Sequence, residues 1–358
     1  MAKKNKHITE YLHGIHNFEN YDGFLFIGDP HLSSYKPGKR LDSNFLDTII
    51  DKLDQAADIC IKRNLFMIIL GDLFHDDKDH NPLMLTKLIK VFKKLPHPPL
   101  TIIGNHEKTQ DKLTDDTFTA VLREANLLYT IEKNQYWGRF KINTDYIYIG
   151  GTPYGAEIPD NVTSLINKAY TETLSYTIWL THHDLAIGAS YPGCVQPKPI
   201  IGCDIVVNGH DHSTKEPKQV GNTLYFNPGN ITRLSTDKHD HVPRVWLWTP
   251  KQKMILEPIP LRYQENIFNL AGKQVIVPDT SPTRNEVKEK DSKFIKLLEE
   301  EQKKVSENST IDQQLTNDAT IIQEQISLLA KTFNTPNDIE LELIELAKEC
   351  SKEIREQK

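Results

Sequence analysis

Cysteine is scarce in this 358-residue sequence, and its four cysteines lie far apart with no C-x-x-C spacing. The chain is therefore not a small disulfide-stapled scaffold, and isolated thiols of this kind are typical of a reduced compartment. No apolar run approaches the roughly 18 residues of a membrane span, so no membrane association is expected. The basic residues 3–6 are not followed by the apolar segment of a secretory signal. A cytoplasmic location is predicted.

An excess of positive charge is also absent, because 43 Lys and Arg residues face 49 Asp and Glu residues, a net charge of −6. The imbalance lies within residues 285–358, which hold 11 basic and 17 acidic side chains. Glycine does not occur after Gly272, nor tyrosine after Tyr263, so the composition changes near residue 260. No global basic field indicates nucleic-acid binding, and the balanced charge of residues 1–284 does not exclude a DNA substrate.

Hydrophobic residues make up 38% of the chain, enough for a sizeable core. Short apolar strands are predicted at 24–27, 66–70 and 100–103, and they alternate with amphipathic helices from Ser43 and over 83–95. Residues 127–150 are predicted as strands, as are 176–181, 204–208, 223–227 and 244–249. This alternation favours an α/β fold with a largely parallel sheet.

Five polar clusters each follow an apolar strand. They are Gly28-Asp29-Pro30-His31, Gly71-Asp72-Leu73-Phe74-His75, Gly104-Asn105-His106-Glu107, Thr181-His182-His183-Asp184 and Gly209-His210-Asp211-His212. Because ligands bind at the carboxyl ends of strands in open α/β sheets, these clusters are expected to converge. Carboxylate, amide oxygen and imidazole suit Mn²⁺, Fe²⁺ or Zn²⁺. Six or seven such groups exceed the needs of one ion and fit two ions that share a carboxylate.

The ordered set D-x-H, G-D, G-N-H-[DE], H and G-H-x-H resembles the signature of the calcineurin-like metallophosphoesterases, over about residues 22–260. The resemblance implies a four-layer α/β/β/α core and two divalent metal ions. Mn²⁺ is the first choice, with Fe²⁺, Zn²⁺ and Mg²⁺ as alternatives. The metal ligands that it implies are Asp29, His31 and His212 for one ion, Asn105, His182 and His210 for the other, and Asp72 as the bridge.

The same resemblance implies that His106 protonates a leaving oxygen or steadies the phosphate. Adjacent strand residues face opposite ways, so only one of His182 and His183 is expected to reach the metals. The order of similar motifs favours His182.

Two segments resemble the SbcD-type DNA repair nucleases more narrowly. The G-D-L-F-H run ends at His75, which in those nucleases helps to hold the scissile nucleotide. Residues 227–233 resemble their P-G-S-x-x-R segment, with Asn230 where serine is usual, and Arg233 is expected as a phosphate clamp or as an ordinary surface ion pair. The implied function is a two-metal DNA exo- or endonuclease in an SbcCD-like end-processing complex, nucleoid-associated if bacterial or phage-encoded. The alternatives are a small-molecule phosphodiesterase or protein phosphatase of the same superfamily, and a non-catalytic scaffold.

The predicted organisation is an N-terminal leader (1–22), a metallophosphoesterase domain (23–260), a linker or reduced cap (261–284) and a C-terminal helical extension (285–358). Apolar residues recur at helical spacing over 315–333 and again over 339–354. Such stripes usually pack on each other or on the parent domain. The resemblance implies instead that the extension binds an SMC-like ATPase subunit, with homodimerisation as the other interpretation.

Overall fold

The computed structural model describes residues 8–12, 15–76, 79–108, 112–165, 176–188, 193–252 and 256–269, together with Leu341. Apart from Leu341, the predicted helical extension lies outside these residues, as does most of the predicted linker. The chain divides into two compact units, Met1–Gln274 and Val275–Lys358. All strands of the described residues lie in the first unit.

Fourteen strands and three α-helices occur in the described residues. In chain order they are β1 (Ile8–Leu12), β2 (Ile15–Glu19), β3 (Gly23–Ile27), α1 (Phe45–Arg63), β4 (Leu65–Ile69), α2 (Pro82–Phe92), β5 (Leu100–Ile102), α3 (Phe118–Glu124), β6 (Tyr129–Ile131), β7 (Gln135–Ile142), β8 (Asp145–Thr152), β9 (Tyr176–Thr181), β10 (Ile205–Asn208), β11 (Lys215–Val220), β12 (Thr223–Asn227), β13 (Arg244–Trp248) and β14 (Glu257–Pro260).

The strands form two sheets. The six-stranded sheet has the order β14-β13-β3-β4-β5-β6, and the eight-stranded sheet has the order β1-β2-β7-β8-β9-β10-β12-β11. Strands β3 to β6 run parallel to one another, and β8, β9, β10 and β12 also run parallel. Each sheet therefore gathers the carboxyl ends of several strands at a single edge.

The alternation of side chains along β3 shows how the layers are built. Phe24 and Phe26 point into an apolar core between the two sheets, where they meet residues of β7, β9 and β10. Leu25 and Ile27 point the other way, into a second core that α1 and α2 cover. Because neighbouring strand residues face opposite sides, a strand that is buried on both faces is apolar throughout, as the sequence pattern predicts.

The outer face of the eight-stranded sheet carries a third apolar core, centred on Trp179. The side chains that cover it in the described residues belong mostly to loops, including Ile158, Val162 and Leu185. The indole Nε1 of Trp179 donates to the hydroxyl of Thr152 at 2.9 Å, which satisfies its buried N–H group. The α/β fold with two packed sheets is confirmed.

Helix α1 begins at Phe45, two residues after the predicted start at Ser43. Its N-cap is Asn44, which has an extended backbone and whose side-chain oxygen accepts a hydrogen bond from the backbone N–H of Asp47 at 3.2 Å. The helix ends at Asn64, whose left-handed backbone lets its N–H donate to the carbonyl of Cys60. The chain then enters β4 directly.

Strands at 176–181 and 223–227 match the prediction to the residue. Strands β1, β2, β11 and β14 were not predicted, and β1 and β2 lie within the predicted leader. Strand β2 pairs in parallel with β7, but only Ile15 and Phe18 give it an apolar signal. Strand β11 is an exposed edge strand rich in lysine, without apolar alternation. In the described residues, no helix combines the length and apolarity that crossing a bilayer requires.

Candidate metal centre

The five polar clusters lie where the parallel strands end. Asp29 follows β3, Asp72 follows β4, and Asn105 follows β5, all in the six-stranded sheet. His182 and His210 follow β9 and β10 of the eight-stranded sheet. The hydrogen bonds between these residues show that the two sheet edges meet, so the predicted convergence is what the structure has.

Unusual backbone geometry turns these side chains toward one another. Asp29, His31, Asp72 and His210 all have positive φ, and they are four of the eight non-glycine residues with this geometry in the described chain. Each such residue costs on the order of 1–3 kcal/mol and persists only where its surroundings hold it. Strain concentrated at one sheet edge is typical of a functional site.

The glycines that begin two of the clusters allow neighbouring strand ends to approach each other closely. A Cβ at Gly104 would overlap the Asp72 carboxylate, and a Cβ at Gly209 would overlap the carbonyl oxygen of Leu70. Only glycine therefore lets the ends of β5 and β10 come this near to the end of β4.

Asp72 lies at the centre of the site and is 1% exposed. Its Oδ2 lies 3.2 Å from Nε2 of His182, 3.6 Å from Nε2 of His31 and 4.0 Å from Nε2 of His106. Its Oδ1 accepts a hydrogen bond from the backbone N–H of His106 at 3.1 Å. The carboxylate thus faces residues from both sheets, which is the position that a bridging ligand needs.

On one side of Asp72, three donor atoms face a common point. Asn105 Oδ1 lies 3.0 Å from Nδ1 of His210 and 3.2 Å from Nε2 of His182. One oxygen or nitrogen of Asp72, His182 and His210 lies within 4.8 Å of the others. This is the amide, carboxylate and imidazole set that the sequence predicts for one metal ion.

On the other side, Nε2 of His31 lies 2.8 Å from Nε2 of His212. Asp29 is fully buried, and its Oδ1 accepts from the backbone N–H of His210 at 3.0 Å. The second oxygen of Asp29 is buried without a hydrogen-bond partner. A buried carboxylate oxygen without a hydrogen-bond partner fits a divalent cation, because buried charge requires a partner.

The tautomers of two of these histidines follow from their outer hydrogen bonds. Nδ1 of His182 lies 2.6 Å from the carbonyl of Leu70, which can only accept, so this nitrogen carries the proton. Nε2 of His210 lies 3.2 Å from the carboxylate of Asp184 and carries the proton in the same way. The opposite nitrogen of each ring therefore points at Asn105, the arrangement that metal-binding histidines use.

The electrostatics centre on a buried ion pair. Burial alone would raise the pKa of Asp72, but His182, His31 and His106 hold it well below its usual range. Burial alone would lower the pKa of His182, but Asp72 and Asp29 raise it to about 10. Burial raises the pKa of Asp29 to about 7.

The other predicted imidazole ligands are biased toward the neutral state. Burial lowers the pKa of His31 well below its ordinary value, lowers that of His212 to about 4, and lowers that of His210. Neutral imidazole is the form that binds a metal ion. The site therefore combines carboxylates with three unprotonated rings at neutral pH.

His183 does not share the surroundings of His182. Its Nε2 lies 2.8 Å from the carbonyl of Ala156, and its backbone N–H donates to the side chain of Asn208 at 3.0 Å. Of the two adjacent histidines, the structure places His182 beside Asp72, as the order of similar motifs favoured.

His75 and His106 lie together at the open side of the site. Their rings stack with centroids 5.3 Å apart and planes 22° apart, and Nδ1 of His106 lies 2.5 Å from the carbonyl of His75. Nδ1 of His75 also lies 3.3 Å from Nδ1 of His31. The side chain of His106 is one-third exposed, so a substrate can approach it from solvent.

Within the described residues, Arg233 forms no hydrogen bond or ion pair with the side chains of the metal centre. Its guanidinium donates to the carbonyls of His239 at 2.8 Å and Glu265 at 3.0 Å, and it lies over the ring of Tyr263. It is 5% exposed. It is therefore not the surface ion pair that was one expectation, and these contacts hold chain segments in place; its phosphate contact remains a prediction.

Sequence analysis assigned no role to three residues that support the site. Glu107 is buried, and its carboxylate accepts from the backbone N–H groups of Asp72, Leu73 and Gly104. Burial raises the pKa of Glu107 to about 8. In the sequence, the only sign of this supporting role was that an acidic residue directly follows Asn105-His106.

Asn208 and Asp184 are the other two. Asn208 accepts from the hydroxyl of Thr181 at 2.8 Å and from the N–H of His183, and it donates to the carbonyl of His183 at 2.9 Å. It therefore ties the end of β9 to the end of β10. Asp184 orients His210. Both lie close in the sequence to histidines of the predicted site, and this position was the sign of their role that the sequence contained.

Asp72→Asn should reduce Mn²⁺ affinity more than the roughly 10- to 100-fold that follows loss of an outer-shell partner, because it removes the charge of the shared ligand. Isothermal titration calorimetry and elemental analysis measure this. Asp204→Asn is the matched control, since that carboxylate accepts from Thr177 N–H at the start of β9 and β10, the end opposite to His182 and His210. Equal Mn²⁺ binding by the two variants would show that Asp72 is not a ligand.

Comparisons with known proteins give a family and remote structural likenesses. No curated protein matches the sequence. The crystal structure of a 5′-nucleotidase precursor from Thermus thermophilus has 13% identity and a TM-score of 0.40, covering 66% of this chain and 54% of that one. The chain thus spans about half the length of that precursor. A hypothetical protein from the same organism has 12% identity and a TM-score of 0.38, covering 66% of this chain and 98% of that one.

The family assignment comes from a direct match of the sequence. A family model described as calcineurin-like phosphoesterase matches residues 23–214, which is more than half of the chain. The matched range begins at β3 and ends just beyond His212, so it contains every strand-end cluster of the metal centre. The chain belongs to the calcineurin-like phosphoesterase family.

Proposed function

We propose that this phosphoesterase is a two-metal nuclease that hydrolyses DNA phosphodiesters. The observation that carries the proposal is the stacked pair of His75 and His106 at the open side of the donor set. A phosphate diester has two organic substituents, whereas a monoester has one. His106 can protonate the oxygen that leaves, and the ring of His75 can contact the part of the nucleotide that stays attached to the phosphate.

The donor set assigns the metals as follows. Asp29, His31, His212 and Asp72 would hold one divalent ion, and Asp72, Asn105, His182 and His210 would hold the other. Bound ions would supply Lewis acidity, which lowers the pKa of water and offsets the charge of the phosphate. Mn²⁺ is the proposed metal, because it accepts carboxylate, amide oxygen and imidazole together.

His106 is placed to move a proton. Because its Nδ1–H donates to the carbonyl of His75, its Nε2 is the nitrogen free to exchange protons, and it lies 4.0 Å from the Asp72 carboxylate. A proton on Nε2 can pass from the ring to the departing alkoxide. Partial exposure to solvent lets the ring be reprotonated after each turnover.

A direct comparison of substrates tests the proposal. Labelled DNA with Mn²⁺ is assayed beside bis-p-nitrophenyl phosphate and 2′,3′-cyclic nucleotides, and EDTA should abolish hydrolysis of all of them. We expect kcat/KM for DNA to exceed that for cyclic nucleotides by about 100-fold or more, an advantage of about 2.7 kcal/mol. A preference for cyclic nucleotides would instead establish a small-molecule phosphodiesterase.

His106→Ser should retain metal content and DNA affinity but lose turnover by on the order of 10²-fold or more, because the proton donor is removed. Hydrolysis of bis-p-nitrophenyl phosphate should fall less, since p-nitrophenolate leaves without protonation. Single-turnover kinetics and elemental analysis separate the two effects. Loss of bound metal would assign His106 to the ligands, and equal losses on both substrates would remove its role as an acid.

We further propose that residues 285–358 recruit an SMC-like ATPase subunit, which would make this chain the nuclease subunit of an SbcCD-like DNA end-processing complex. The support comes from the sequence alone. The segment is acidic and contains two apolar stripes that are too short to form a convincing independent coiled coil. Helices of such length need tertiary or intermolecular packing. Homodimerisation through the same stripes is the competing proposal.

Ending the chain after Arg284 should leave metal-dependent hydrolysis of bis-p-nitrophenyl phosphate intact, because every residue of the metal centre lies before residue 213. ATP-stimulated cleavage of long duplex DNA should disappear with the partner's binding. Co-purification with an SMC-like ATPase and light scattering measure the association. Undiminished co-purification of the shortened chain would contradict the proposed partner site, and a monomer-to-dimer difference between the two chains would favour homodimerisation.

A further inference from the structure

A cleft of about 300 Å³ opens beside the metal centre, on the side of His75. Its walls include the rings of Tyr35, Pro37 and Phe45 and the side chain of Leu234. The volume falls at the small end of the range of ligand pockets, about 300–1,000 Å³. A planar aromatic group of modest size would fit such a cleft.

The cleft is continuous with the metal centre through one residue. His75 lines the cleft, its ring stacks on His106, and its Nδ1 lies 3.3 Å from that of His31. A phosphate at the metal centre would therefore be separated from the cleft by the imidazole ring of His75. The group that enters the cleft would be a substituent of that phosphate.

Tyr35 is the most exposed of the large hydrophobic residues in the described chain, with 72% of its surface accessible. Its backbone is nevertheless held firmly, since its N–H donates to the hydroxyl of Ser33 at 3.0 Å. The buried carboxylate of Asp79 in turn accepts from the N–H and the hydroxyl of Ser34, both at 2.6 Å. An uncovered ring on a fixed support is the arrangement of a stacking platform.

Two charged residues, Lys36 and Asp76, also line the cleft. The ammonium of Lys36 donates to the carbonyl of Asp42 at 3.2 Å, which keeps it on the wall beside the aromatic rings. Opposite charges at the border of an aromatic cleft suit a ligand that is flat and apolar on its faces but polar at its edge. A nucleobase has this combination, whereas an aliphatic side chain does not.

We propose that this cleft binds the nucleobase of the nucleotide whose phosphate is cleaved, with Tyr35 as its stacking platform. The inference rests on the proposed function, because it requires a nucleotide diester as substrate. Stacking on an aromatic ring accepts every base, so the cleft should favour the presence of a base without selecting among bases.

Three p-nitrophenyl phosphodiesters with the same leaving group test this assignment. Their other substituents are thymidine (through its 5′ oxygen), the matching abasic 1,2-dideoxyribose, and methyl. The ratio of kcat/KM for the thymidine ester to that for the abasic ester measures the contribution of the base alone. We expect a ratio well above one for the unaltered protein, and a roughly 5- to 100-fold smaller ratio for Tyr35→Ala, the range typical of a lost base-stacking contact.

Two control variants define the specificity of that effect. Tyr35→Phe keeps the ring and should keep the ratio within about twofold, which separates stacking from a hydroxyl contact. Tyr11→Ala removes a similarly exposed tyrosine, 67% accessible in β1 and absent from the cleft walls, and should leave the ratio unchanged.

The outcomes separate failure of the inference from failure of the proposed function. A ratio near one in the unaltered protein, with all three esters hydrolysed, would overturn the nucleobase cleft and leave the phosphodiesterase standing. A large ratio that Tyr35→Ala does not reduce would place the base elsewhere and also overturn the assignment. Absence of hydrolysis of all three esters would refute both.

Discussion

The whole site depends on keeping the carboxylate of Asp72 charged in a buried position. Burial of a lone carboxylate is costly, and here three imidazoles and a backbone N–H group offset that cost. Two further carboxylates, Asp29 and Glu107, lie in the same interior and have raised pKa values because burial disfavours their charge. An interior that holds three carboxyl groups together with the rings of His31, His210 and His212, whose pKa values burial lowers, is an environment that favours divalent cations.

Geometry alone would not hold this arrangement, because several of its residues have strained backbone. Glu107 counters the strain by binding three backbone N–H groups from the ends of β4 and β5. Asn208 does the same for the ends of β9 and β10 in the other sheet. The metal centre is thus a junction of two sheets, each braced by one buried polar side chain, and removing either brace would loosen ligands on its own side.

The sequence was sufficient to predict that the strand-end clusters converge and insufficient to find what supports them. Strand-end clusters could be recognised because their residue types, order and positions after apolar strands are all unusual together. Glu107 and Asn208 act mostly through backbone groups, and a single acid or amide near a glycine also occurs in ordinary turns. Arg233 could not be placed because two of its carbonyl partners, in Gln264 and Glu265, are 31 and 32 residues away in the chain. Strands β2 and β11 lack the apolar alternation that marks a strand.

Proton positions connect this framework to chemistry. One ring nitrogen of His182 is held by the carbonyl of Leu70. In the same way, the carboxylate of Asp184 holds one ring nitrogen of His210, and the carbonyl of His75 holds one ring nitrogen of His106. In each ring the opposite nitrogen faces the interior of the site. The fold therefore decides which nitrogen can bind a metal and which can transfer a proton, before any substrate arrives. The same hydrogen-bond pattern is present in a fully buried ring, His182, in a partly exposed ring, His210, and in the most exposed of the three, His106. This order suits the proposed ligand role of the first two and the proposed acid role of the third.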